Sequence, residues 1–148
     1  MPAPRSVRPV RRALVGAVLV AVAVLLSGCL SSGQDAVWKE LNADRRAYGR
    51  SSLFAHDQLN TKAQAWAEKL AREGRLSHST LAAGVPSCWQ SLAENVGSGS
   101  SAAAVQDQFM ASSAHRANVL STAWNWVGVG YAKNGSRVYV VQVFMRGC

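Results

Sequence analysis

His78, Glu94 and His115 are the residues of this 148-residue chain whose types point to chemistry. Two imidazoles and a carboxylate form the donor set of many zinc sites. The same groups can move protons, because histidine titrates near neutrality and a carboxylate can orient it or take its proton. The steps from 78 to 94 and from 94 to 115 are 16 and 21 residues, which match no compact metal motif. Only folding can bring the three together. A third reading stays open beside metal binding and proton transfer: a satisfied hydrogen-bond network that fastens loops. The chain has no Gly-rich phosphate loop, no G-x-S-x-G elbow and no H-E-x-x-H pair. A cysteine nucleophile is disfavoured, because Cys88 and Cys148 are better used as a bridge.

The elements that must position these residues follow from periodicity. Residues 36–48 place Val37, Leu41 and Tyr48 on one helical stripe, with Trp38 beside it and Gly49 as a stop. Residues 58–73 carry Leu59, Ala63, Trp66, Ala67 and Leu70 at helical spacing, with Asp57 and Gly74 as expected caps. Residues 79–101 are rich in Ser and Gly and read as loop, with a short extended piece near Leu92–Val96. Residues 102–110 read as helix. Ser112 or Ser113 is the expected cap of a further helix over Ala114–Leu120. The period then changes to two. Val127, Val129 and Tyr131 alternate with Gly128, Gly130 and Ala132, Asn134-Gly135 marks a hairpin, and Val138–Phe144 is the returning strand. Helices first and an antiparallel hairpin last predict an α+β fold, with helices covering a small antiparallel sheet.

The N-terminus reads as a targeting segment. Residues 1–12 hold four Arg and no acid, and residues 13–26 are uniformly apolar. Fourteen residues are short for a spanning helix, which needs about 20. Leu26-Ser27-Gly28-Cys29 follows and resembles the bacterial lipobox, which implies cleavage before Cys29 and acylation of its thiol. The alternative is an ordinary signal peptide with an incidental cysteine. The expected organisation is therefore a signal peptide over 1–28, a short flexible lipidated tether over 29–36 and one domain over 37–148. In an oxidising compartment the remaining pair, Cys88 and Cys148, is expected to form a disulfide, with two free thiols as the alternative.

The formal net charge is +8 from 16 basic and 8 acidic residues. Removal of Arg5, Arg8, Arg11 and Arg12 leaves 12 against 8, or +4. The remaining basic residues, among them Arg45, Arg46, Arg50 and Lys62, are scattered and read as a solvated face. No basic run with interleaved aromatics points to nucleic acid.

The stretch from Leu41 to Phe144 resembles the CAP superfamily of cysteine-rich secretory, antigen five and pathogenesis-related proteins, in its bacterial branch. The matching residues are Leu41-Asn42, Arg45, Trp66, His78-Ser79, Glu94-Asn95-Val96, the run His115 to Leu120, Val127 to Gly130, and Tyr139, Gln142 and Phe144. The resemblance implies a three-layer α-β-α sandwich in which His78, Glu94 and His115 converge on one cleft. Ala93, Phe109 and Ser112-Ser113-Ala114 depart from the family pattern. The second cleft Glu of animal and plant relatives is replaced, at Ser112. The resemblance favours a surface binding module on the outer face of a membrane, with a lipid or cell-envelope ligand, over an enzyme. The alternative is a hydrolase with a divalent metal such as zinc on His78 and His115 and Glu94 as base or third ligand. Trp89, Trp124 and Trp126 are candidates for exposed aromatic contacts or for core.

Overall fold

The computed structural model describes residues 29–148. The expected signal segment, with its four arginines, lies outside the described residues. Among the described residues no helix is long and apolar enough to cross a membrane.

The elements run α1 (Ser32–Ala47), β1 (Phe54–Ala55), α2 (Asp57–Glu73), β2 (Trp89–Gly99), α3 (Ala102–Ala111), α4 (Ser113–Leu120), β3 (Trp126–Asn134) and β4 (Arg137–Gly147). The strands form one sheet in the order β1-β3-β4-β2. It is antiparallel except at β1, whose two residues pair in parallel with Trp126 and Val127. Alternation along β4 builds two cores. Val138, Val140 and Phe144 face one way, with Val37, Leu41, Val105 and Phe109. Tyr139, Val141, Val143 and Met145 face the other way, with Leu59, Ala63, Ala67 and Leu70 of α2. Thus α1, α3 and α4 cover one face and α2 covers the other, which makes the expected three-layer α-β-α sandwich.

Gly128 and Gly130 let α2 approach β3. A Cβ at Gly128 would collide with Leu59, and one at Gly130 with the backbone of Ala63. Past the short β1, side-chain amides take over the free edge of β3. Asn60 Oδ1 accepts from the Val129 amide, and Gln64 bonds both backbone groups of Tyr131. Gln34 Nε2 donates to the Val129 carbonyl at 2.8 Å. An edge with its polar groups used in this way resists pairing with another chain.

Several local expectations are corrected. Residues 30–36 are not a flexible run: the helix begins at Ser32. Ser31 caps it through a box in which its hydroxyl accepts from the Gln34 amide and the Gln34 side chain accepts from the Ser31 amide. Tyr48 stands past the end of α1 and is exposed, so it does not share the buried stripe. His56, not Asp57, occupies the N-cap of α2, and makes no side-chain cap bond. Gly74 closes that helix as expected, with φ of 67°. The extended piece near Leu92 is an eleven-residue strand, held along its length by β4 and at its start by the Cys88–Cys148 disulfide. The hairpin turn places Gly135, φ 59°, at its first central position, with Asn134 still paired to Arg137. Arg45 is buried rather than solvated. It donates to the carbonyls of Ser51, Val119 and Ser121, and so satisfies the C-terminal end of α4.

The disulfide joins positions 60 residues apart with Cα atoms 5.6 Å apart. Closing a loop of that size removes about 4 kcal/mol of unfolded-chain entropy in the simplest treatment.

Candidate functional site

Glu94 lies in the buried half of β2, opposite Val143, and so points to the α2 side of the sheet. Its carboxylate is almost wholly enclosed, with 3 % of the side chain exposed. Three donors reach it. His78 Nδ1 is 2.8 Å from Oε1, the Ser79 amide is 2.9 Å from the same oxygen, and the Ser79 hydroxyl is 2.6 Å from Oε2. Burying a carboxylate is costly unless such bonds replace its water. The segment after α2 supplies them, and Trp66 Nε1 holds that segment by donating to the Ser77 carbonyl at 2.9 Å. Lys62 adds a further tie through the carbonyls of Thr80 and Ala83. Burial lowers the pKa of Lys62, and the nearby Glu94 charge works against that shift.

His115 arrives from the opposite layer. It opens α4, packs its ring 5.1 Å from that of Phe109, and belongs to the α1/α3/α4 side. Yet its pKa is lowered first by burial and then by the positive charge available on His78. Because β2 is the outer strand of the sheet, groups from the two layers can meet around its free edge. His78 and Glu94 are thus bonded on the α2 side, and the His115 backbone is tied to the same strand from the other side through Asn95. The third histidine, His56, sits at the other edge against Trp126, with Nδ1 buried and unbonded among the described residues.

Five polar residues that sequence reasoning left without a role position this edge. Asn118 donates to Asn95, Asn95 to Gln142, Gln142 to Gln106, and Gln106 to the Asp44 carboxylate, over 2.7–3.2 Å. Each amide gives its NH2 to the next oxygen, so the dipoles align toward Asp44 and reinforce one another. Asn95 also donates to the His115 carbonyl at 3.2 Å, which ties α4 to β2. The signal in the sequence was Gln142 itself, a lone amide within the run Val140, Val141, Val143, Phe144. A buried amide needs partners.

The geometry limits the chemistry. Glu94 has both oxygens engaged, so it orients His78 in the manner of an outer partner to a ligand rather than serving as a ligand itself. With Nδ1 turned to Glu94, His78 offers only Nε2 to solvent, and its side chain is 66 % exposed. The Ser79 hydroxyl is spent on Glu94 and is not a free nucleophile. Among the described residues no group of three or more His, Cys, Asp or Glu is placed to hold a metal ion. A three-ligand zinc centre does not fit this donor set as folded.

A groove opens beside Ser79, between α2 and the 79–84 segment. It has a volume of about 500 Å³ and is lined by Thr61, Lys62, Ala65, Trp66, Lys69 and Ser79 among others. The tryptophans divide. Trp124 and Trp126 are partly buried against the cores, and Trp124 Nε1 donates to the Asn118 carbonyl. Trp89 is the exposed one, at 41 %.

The model of the CAP family, described as the cysteine-rich secretory protein family, matches residues 38–144. The chain belongs to the CAP family. Solved CAP-like structures agree on the fold. An outer surface protein of Borrelia burgdorferi is 16 % identical with a TM-score of 0.67, over 82 % of this chain and 99 % of that one. An extracellular protein with an SCP domain from Bacillus anthracis is 20 % identical with a TM-score of 0.64, over 81 % of this chain. The match spans 45 % of that longer chain. Venom allergen-like protein 4 of Schistosoma mansoni is 16 % identical with a TM-score of 0.61, over 80 % and 91 % of the two chains. Comparison with curated proteins finds no match. At these identities the likeness extends to the CAP fold.

Proposed function

We propose that this CAP domain is a binding module, carried on the extracytoplasmic face of a bacterial membrane by lipid on Cys29, that takes an apolar ligand in the α2 groove. The observation that carries the reading is the division of labour around Glu94. Its carboxylate, His78 and Ser79 fasten the wall of the groove, while the open volume beside them is lined by Trp66, Ala65 and the stems of Lys62 and Lys69. Such a largely apolar hollow with a few polar groups at its rim is the common form of a small-molecule site. Cys29 is exposed and lies ahead of the domain, as an anchor must. The Cys88–Cys148 bridge suits an oxidising compartment. The hydrolase alternative gains nothing from the geometry, because Glu94 and Ser79 are already bonded.

Titration of the soluble domain, residues 30–148, with a fluorescent long-chain fatty acid tests the ligand. Saturable binding that Trp66→Ala weakens by about tenfold, the value of 1.4 kcal/mol, supports the groove. Absence of saturable binding overturns it. For the anchor, Cys29→Ala is expected to release the protein from the membrane fraction or block its processing. Unchanged membrane retention of a processed Cys29→Ala chain overturns that part.

A further inference from the structure

A flexible tether over 29–36 would let an anchored domain swing freely above its membrane. The structure leaves no such tether. Leu30 is partly buried against the core shared with α1, and Ser31 closes a complete capping box. Gly33 lies tight against the Tyr131 ring, and Gln34 is buried with its side chain bonded to the Val129 carbonyl. The chain is therefore held in place from Leu30, the residue next to Cys29. One link of chain reaches only about 3.8 Å.

Cys29 sits at a defined place on the surface. It shares a hollow of about 400 Å³ with Asp57, Thr61, Gln64, Ala65 and Glu68 on one flank of α2. Thr61 and Ala65 also line the ligand groove on the other flank, so these residues form a ridge between the two. From this we infer that the exposed ridge of α2 rests against the surface of the bilayer that holds the Cys29 lipid, in one fixed orientation. The inference rests on the lipid-anchored reading above.

The chemistry of α2 permits this contact. Its three acids, Asp57, Glu68 and Glu73, balance its three bases, Lys62, Lys69 and Arg72, so net charge does not drive it from an anionic leaflet. Lys69 lies 4.7 Å from the centre of the Trp66 ring. An aromatic ring beside basic side chains with apolar stems suits the headgroup region. Recruitment comes from the anchor, which raises the local concentration of membrane surface without any further contact. The groove then opens within about one helix diameter, 10–12 Å, of the lipids.

The test uses the full-length chain, expressed in bacteria and kept in their membranes. A phospholipid bearing a photoreactive diazirine is incorporated, and peptides are mapped by mass spectrometry. The expected labelling is several-fold stronger in the 57–72 peptide than across α4, in the opposite layer. A Gly/Ser linker as long as the 29–36 stretch, inserted between Cys29 and Leu30, is expected to even out the labelling. The mass of the N-terminal peptide reports acylation separately. An acylated chain with even labelling, or with labelling that ignores the linker, overturns the fixed orientation alone. A chain without lipid on Cys29 overturns the anchored reading and the inference with it.

Discussion

The two faces of the sheet are held by different means. On the α2 face the contact is made by removing side chains. Gly128 and Gly130 bring the helix backbone onto β3, and the buried core there is aliphatic apart from Tyr139 and Met145. On the other face Gly97 and Gly99 of β2 meet the side chains of Val105 and Phe109 rather than helix backbone, and a line of amides from Asp44 to Asn118 crosses the core among the valines. The first face gains its stability from close approach and burial. The second gives up some burial for directional bonds that set where α4, and with it His115, must lie. One face is a clamp and the other a positioning device. The candidate site forms where they meet, around the edge of β2.

The largest expected effect breaks the clamp. Gly130→Val places two methyl groups where the Ala63 backbone lies. Overpacking costs about 1–3 kcal/mol in a yielding core, and more where backbone must move. A loss of about 4 kcal/mol or an unfolded product is expected by urea denaturation. A variant within about 1 kcal/mol of the parent would show that α2 can slide, and the contrast between faces would fail.

The next effect tests the positioning face. Gln142→Leu keeps the volume but strands Gln106 Oε1 and one Asn95 bond. Leaving a buried polar group unpaired costs about 1–3 kcal/mol, so about 2 kcal/mol is expected. Replacing both members of a pair can be nearly neutral. The double variant Gln106→Leu/Gln142→Leu is therefore expected to be more stable than the sum of the two single losses. Strict additivity in that cycle would mean the amides are not coupled.

This contrast also decides what could be read in the sequence. The clamp was legible: the 3.6 period of Leu59, Ala63, Ala67 and Leu70 and the Val-Gly alternation of β3 are both periodic signals. The valine run of β4 was legible for the same reason. The positioning face was not, because its bonds join residues as far apart as 44 and 106 and carry no period. The start of α1 was hidden in a small polar run, since Ser31 and Gln34 signal a cap only once a helix is known to follow. The first half of β2 mixes polar and apolar residues without alternation, is exposed or half-buried, and owes its order to β4 and the disulfide, not to its own pattern. At the site, His78, Glu94 and His115 were visible by type. That Ser79 consumes the Glu94 carboxylate depends on how the segment after α2 folds back, which no spacing reveals.

A smaller effect separates fastening from chemistry. Glu94→Gln keeps the shape but turns an NH2 toward donors at Ser79 or His78. Loss of charged hydrogen bonds of this kind costs about 1.5–3 kcal/mol, less whatever the segment recovers by relaxing. Hydrogen exchange at the Ser79 amide is expected to quicken while the α1/α3/α4 face stays protected. Unchanged exchange would mean that Glu94 does not fasten the groove wall. The matching metal test is calorimetric. No stoichiometric zinc binding is expected. Tight one-to-one binding abolished by both His78→Ala and His115→Ala would restore the hydrolase reading.

The smallest effect lies where the two faces meet. Burial first, and His78 second, disfavour the charged form of His115 in the folded protein. Its ordinary pKa of about 6.5 holds in the unfolded chain. Well above that value the ring is neutral in both states and the pair of states is unaffected. As pH falls below it, the unfolded chain takes up the proton more readily, and folded stability declines. The decline stops once the folded ring is protonated too. In chelator-containing buffer, the urea midpoint is therefore expected to fall between about pH 7.5 and pH 5.5, and His115→Gln is expected to flatten that slope. His78→Gln, which removes the like charge together with the imidazole bond to Glu94, is expected to shift the NMR-measured pKa of His115 upward without restoring it fully, since burial is the larger cause. Equal slopes in the parent and His115→Gln would place His115 in open solvent, away from the edge where the clamp and the amide line converge.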